Sequence, residues 1–108
     1  TNPLASVGST GYFNGFLAKY DLNGNIAWAA RQGCSGSDHN YNRDVDVDSN
    51  GNPYVAGSMQ YNTNIYSSNN NINFFYLRGV DYHEPMLMKY NPSGTLLWAI
   101  CAVDGGSN

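Results

Sequence analysis

Asp44, Asp46, Asp48 and Asn50 stand at alternate positions and run into Gly51, an arrangement in which oxygen ligands could gather around a divalent cation. With Asp46 as the first position of a calcium loop, Asp48, Asn50 and Gly51 fall where an EF-hand needs them. The closing position, which needs a bidentate Glu, is Gly57. The flanking residues alternate as strands do, so the segment reads as strand–turn–strand and no metal site is assigned. His39 and His83 lie next to Asp38 and Glu84, a pairing that serves acid–base or metal chemistry when another ligand is at hand. No such ligand stands at metal spacing, and both read as loop histidines. G-x-S-x-G, H-E-x-x-H and a phosphate-cradling glycine loop do not occur. Cys34 and Cys101 form no C-x-x-C pair, which leaves both a disulfide and two partly buried thiols open. No catalytic residue, metal or cofactor is assigned, and a non-enzymatic protein is expected.

Composition narrows the class further. The 108 residues suit one small domain at most. Charged residues make up only 12%, while there are 16 Asn, 12 Gly and 9 Tyr, so solubility rests on amides and hydroxyls. A net charge of -3 lacks the basic stripe that nucleic acid or an anionic membrane surface would require. The longest apolar run, Leu96 to Val103, falls well short of the roughly 18 residues of a spanning helix. The chain opens at Thr1 with no visible signal peptide, which leads us to expect a processed or excised piece.

An internal repeat organises the chain. At an offset of 70 residues, Phe16-Leu17-Ala18-Lys19-Tyr20-Asp21 falls on Met86-Leu87-Met88-Lys89-Tyr90-Asn91, and Ile26-Ala27-Trp28-Ala29 on Leu96-Leu97-Trp98-Ala99. Eight of 23 aligned positions are identical, where chance gives one or two. Each copy alternates with period two on both sides of a turn, which predicts a hairpin. The turns Asp21-Leu22-Asn23-Gly24-Asn25 and Asn91-Pro92-Ser93-Gly94-Thr95 suit a type I turn closed by a left-handed glycine. Asp48-Ser49-Asn50-Gly51-Asn52 is a third, between strands near 44–48 and 53–58. Strands near 44–48, 53–58, 86–91 and 96–101 are expected to form one four-stranded sheet, with strands near 16–21 and 26–31 in a neighbouring one. Because Trp28 and Trp98, like Tyr20 and Tyr90, recur with the repeat, they read as packing residues between sheets.

These residues, with Gly36-Ser37-Asp38, Val45, Val47 and Tyr54-Val55-Ala56-Gly57, resemble the SBBP family of bacterial β-propeller repeats. The resemblance covers about residues 15–58 and 86–108, and residues 3–9 look like the strand of a preceding blade. It implies an all-β fold: a fragment of a β-propeller with four-stranded antiparallel blades. Residues 1–38 would supply the last three strands and exit loop of one blade, and 39–108 one full blade with a long insert at 59–84. Asp44 and Asp46 depart from the small or apolar residues usual in the family. The repeat is also longer than the roughly 40–50 residues usual for propellers, which places about 20–25 extra residues in 59–84. A propeller needs about four blades to close, so the chain is expected to join the rest of a longer propeller chain or copies of itself. The resemblance further implies an extracellular or cell-surface bacterial setting.

The insert is the expected recognition element. It carries Tyr61, Tyr66, Phe74, Phe75, Tyr76 and Tyr82 among Asn, Ser and Thr. Rings stack on apolar faces while amides hydrogen-bond at low desolvation cost, which suits a glycan or a surface protein. Ile72, Phe74 and Tyr76 alternate and predict an extra strand paired with Asn64-Ile65-Tyr66, with Ser67 to Asn71 as the tip. Burial of the same aromatics on the blade or a partner is an equally weighted alternative. The function expected is a scaffold or adhesion-type binding module. The alternatives are a purely structural repeat of a surface filament and a quinoprotein-like enzyme. The latter is disfavoured because the turn from Asp21 to Gly24 looks one residue short and no cofactor-stacking pair is evident.

Overall fold

Each predicted hairpin is closed by a side chain that ties its own turn. In the computed structural model, which describes residues 15–33, 40–59, 62–68, 74–78 and 84–101, Asp21 Oδ1 accepts hydrogen bonds from the backbone N–H of Asn23 (2.8 Å) and Asn25 (2.9 Å). Asp48 Oδ1 does the same for Asn50 and Asn52, and Asn91 Oδ1 for Ser93 and Thr95. Gly24, Gly51 and Gly94 take positive φ of 85°, 85° and 88°. Each of these glycine N–H groups donates to the carbonyl three residues back. A side-chain acceptor that captures two backbone donors offers the chain a turn in place of a continuing strand, and glycine meets the left-handed backbone without a Cβ clash.

Around these turns the described chain is all β. The strands are β1 (Gly15–Tyr20), β2 (Ile26–Gly33), β3 (Asn40–Val47), β4 (Pro53–Met59), β5 (Asn62–Tyr66), β6 (Phe74–Arg78), β7 (Glu84–Tyr90) and β8 (Leu96–Cys101). They make two four-stranded antiparallel sheets, β1-β2-β5-β6 and β3-β4-β7-β8. The second sheet is the one expected from the repeat, and β1 and β2 lie in a neighbouring sheet as expected. Register shifts at Lys19/Tyr20 and Lys89/Tyr90 place the same bulge beside the turn in both copies. The expected start near residue 44 comes too late for β3. Its ladder begins at Asn40, opposite Met59, and a second bulge falls between Asn42 and Asp44.

The sheets meet face to face over one apolar core. Trp28, Ala30 and Ile65 come from the first sheet; Val55, Met59, Met86, Met88, Tyr90, Leu96 and Ala99 come from the second. Period-two alternation fixes which side of each strand is used. Leu17 of β1 packs on this core, while Phe16 and Tyr20 are exposed. In the repeat-related β7 the assignment is reversed: Met86, Met88 and Tyr90 are buried and Leu87 is only partly so. The two copies therefore use opposite sides. The first presents its front, Leu17 and Trp28, to the back of the second, Met86, Met88 and Tyr90.

Trp28 is the centre of this seam. Its indole lies 6.1 Å from the Tyr90 ring at an interplanar angle of 29°. Its Nε1–H donates to the Pro92 carbonyl at 2.9 Å, and Lys19 Nζ donates to the same oxygen at 3.3 Å. A Cβ added at Gly94 would stand 2.7 Å from the Trp28 ring and 2.8 Å from Ser68, whereas one at Gly24 would meet nothing within 4 Å. Gly24→Ala should cost only the left-handed backbone strain, about 1–2 kcal/mol. Gly94→Ala should add an overpacking cost of about 1–3 kcal/mol. Urea denaturation of the two variants beside the parent chain measures the difference, and equal losses would contradict the seam.

Candidate functional site

The aromatic insert is built as a hairpin, but it does not extend the sheet from which it departs. The chain leaves the second sheet after β4, forms β5 and β6, and returns to that sheet as β7. β5 pairs with β2 through Gln32↔Ile65 and Gly33↔Asn64, and β6 pairs with β5 along its whole length. The predicted pairing of the two insert segments is thus present for Phe74 and Tyr76, while Ile72 lies outside the described residues. The insert's destination, the edge of the first sheet, is not signalled by local alternation.

Alternate residues of β5 are core. Thr63 and Ile65 are buried, and Thr63 Oγ1 donates to Asn40 Oδ1 at 2.6 Å beneath the sheets. Ser67 and Ser68, expected at the tip, do follow β5 at the start of the connection to β6, and both are buried. Ser67 Oγ accepts the Leu96 N–H at 2.8 Å, and the Ser68 N–H donates to the Gly94 carbonyl at 2.8 Å. Both latch the insert onto the β7–β8 turn. Tyr66 is half-buried, with the Arg31 guanidinium 4.5 Å from its ring centroid, and its carbonyl accepts from the Tyr90 hydroxyl at 3.5 Å. Burial raises the Tyr90 phenol above its ordinary range, so it stays a neutral donor. Phe74, Phe75 and Tyr76 occupy register positions opposite Tyr66, Ile65 and Asn64. Tyr61 and Tyr82 lie outside the described residues, as do Asn69 to Asn71, His39, His83 and Cys34. The residues that lock the insert, Thr63, Ser67 and Ser68, looked merely polar in the sequence. The one signal that could have marked them is their place before and after the alternating Ile65.

A second surface feature is an apolar cleft of about 480 Å³ beside β1, lined by Leu17, Tyr20, Trp28, Val45, Val47 and Pro53 among others. Val45 and Val47 are exposed on β3, which faces β1 across the cleft. With Lys19 at its margin, the cleft suits an apolar segment more than a polar small molecule.

The acidic strand resolves into local contacts. Asp44 and Asp46 each accept the N–H of the following residue, at 2.9 and 2.8 Å. Asp48 spends Oδ1 on its turn, while Oδ2 accepts from Asn52 Nδ2 at 3.0 Å and from the Tyr54 hydroxyl at 3.4 Å. Among the described residues, no group of three metal-ligating side chains comes together. No described helix is long and apolar enough to cross a membrane. Cys101, half-buried on β8, has its thiol pushed up by burial and by the Glu84 carboxylate. The chain matches no family model, no curated protein sequence and no solved structure.

The turns carry a pH signature. Backbone donation from Asn25 holds Asp21 below its ordinary 3.8, and donation from Asn52 holds Asp48 below the same value, with Lys89 adding a smaller pull on Asp48. A folded pKa below the unfolded one gives stability that is present above pH 3.8 and lost as pH falls through the folded value. Asn91 makes the same contacts without a titrating proton. Thermal melts from pH 7 to about pH 2.5 should therefore show a shallower acid loss for the Asp21→Asn/Asp48→Asn variant than for the parent. Parallel curves would remove the turn carboxylates from the acid response.

Proposed function

We propose that the two sheets are successive blades of a β-propeller and that the chain is a non-enzymatic scaffold of adhesion type, which presents the β5–β6 hairpin for recognition. The observation that carries the blade reading is the front-to-back relation of the two repeat copies. Tandem repeats stacked in one sense bury one face of each sheet on the opposite face of the next, as propeller blades do. A sandwich folded from two equivalent sheets would instead bury the same face of both. The resemblance to the SBBP repeats supports the same architecture and a secreted or cell-surface bacterial setting.

The recognition reading rests on where the hairpin sits. It adds two strands beyond β2, and among the described residues β6 is the outer strand of its sheet. Its first strand and turn are anchored by Ile65, Thr63, Ser67 and Ser68, and the aromatic β6 pairs along that strand and runs close to β8. Aromatic side chains on a fixed strand lose little entropy on binding, and that favours contact with a glycan or a surface protein.

The pairing register divides the aromatics for a test. Phe75 is opposite the buried Ile65, while Phe74 and Tyr76 are opposite Tyr66 and Asn64. Phe75→Ser should lower the melting temperature. Phe74→Ser/Tyr76→Ser should keep the fold and lower binding to immobilised oligosaccharides or to intact cell surfaces. If that double variant binds as the parent does, or loses its fold, the hairpin is a packing element and the recognition reading fails.

A further inference from the structure

The repeat leaves one half of the internal seam open at each end of the described sheets. Tyr90 is 1% exposed under Trp28, but its counterpart Tyr20 is 60% exposed. Gly94 is filled over by the Trp28 ring, but the space over its counterpart Gly24 is open, with the same left-handed backbone. On the second sheet, Trp98 is the counterpart of Trp28, and Lys89 pairs with Trp98 as Lys19 pairs with Trp28. Ile100, the counterpart of the buried Ala30, is 56% exposed. Tyr54 packs edge-on to Trp98 at 6.1 Å, and Lys89 stands 5.0 Å from the Tyr54 ring centroid. So the front of the second sheet carries the parts that engage in the seam, and the back of the first carries the parts that receive them.

We infer that the front of one chain docks on the back of a second copy, with Trp98 over the partner's Tyr20 and Gly24 as Trp28 lies over Tyr90 and Gly94. In this contact the Trp98 Nε1–H and Lys89 Nζ would donate to the Leu22 carbonyl, the counterpart of Pro92. Lys89 also meets a charge that the internal seam lacks, since Asp21 stands where the second turn has Asn91. The occupant is thus specified by the internal seam and by this charge complementarity. A front and a back on each copy make a heterologous contact, which closes into a ring or runs into a filament. Two sheets per copy would make a ring of roughly two to four copies, within the usual four to eight blades. The contact names the partner within the blade reading above, and its test is separate from ligand binding.

Sedimentation velocity of the 108-residue chain across a concentration series is the experiment. The parent should sediment faster as concentration rises. Trp98→Ala, which disables the front, and Tyr20→Glu, which disables the back, should each weaken association by about thirtyfold or more, the cost of losing a central aromatic contact. Mixed in equal amounts, they should form a dimer and nothing larger, because each retains the half that the other lacks. Ile100→Glu, at an exposed front position, should repeat the Trp98→Ala result if that variant folds poorly. A parent that stays monomeric, variants that associate normally, or a mixture that gives no dimer would each overturn the proposal.

Discussion

The placement of Trp28 over the Tyr90–Gly94 turn is the constraint from which the rest of the architecture follows. The contact is apolar where the rings stack and polar where the indole N–H reaches the Pro92 carbonyl. That polar bond makes the packing directional, because an indole buried without an acceptor would carry the cost of an unmade hydrogen bond. A glycine at position 94 is needed twice over, for its positive φ and for the room that the ring takes. Once this pair of groups is engaged, the relative orientation of the sheets is fixed, and Met86, Met88 and Ile65 fill the space between them.

The insert reinforces the same point from the opposite side. Ser67 and Ser68 bind the carbonyl and N–H groups of the turn that Trp28 covers, so three chain segments converge on residues 91–96. Hydrogen bonds to the backbone of the buried Gly94 and Leu96 satisfy an acceptor and a donor that would otherwise be stranded. The hairpin is for this reason part of the scaffold at its base, and its outer strand β6 also runs close to β8 of the second sheet.

Much of this architecture was legible in the chain itself. Strand positions, the three turns and the split into two sheets followed from period-two alternation, from Asp or Asn three residues ahead of Gly, and from the recurrence of Lys, Tyr, Gly, Trp and Ala. These signals are local, or repeat at a fixed offset, and so can be seen without a structure. The destination of the insert could not be. Its union with β2 rests on two residue pairs, Gln32↔Ile65 and Gly33↔Asn64, and no local pattern distinguishes that edge from any other. The early start of β3 escaped for a similar reason: Asn40 and Asn42 look like loop residues, yet Asn40 is buried by its contact with Thr63, a partner 23 residues away. Of the candidate aromatics, Tyr66 lies on β5, and its stacking under Arg31 depends on a strand that the sequence does not connect to it.

The path of the hairpin also orders the events by which the chain can reach this state. The first sheet is begun by residues 15–33 but gains its outer two strands only from residues 62–78. Until that later stretch has emerged from a ribosome or a translocation channel, β1 and β2 lack the two strands that extend their sheet in the described residues, and a two-stranded ribbon by itself is marginal in water. The insert in turn interrupts the second sheet, whose β4 waits for β7 across it. Neither sheet can be finished before most of the other exists, and contacts of such long sequence separation slow the search for the native pairing. Among the described strands, synthesis in chain order therefore completes neither sheet early, and each sheet depends for its last strands on a stretch that follows the start of the other.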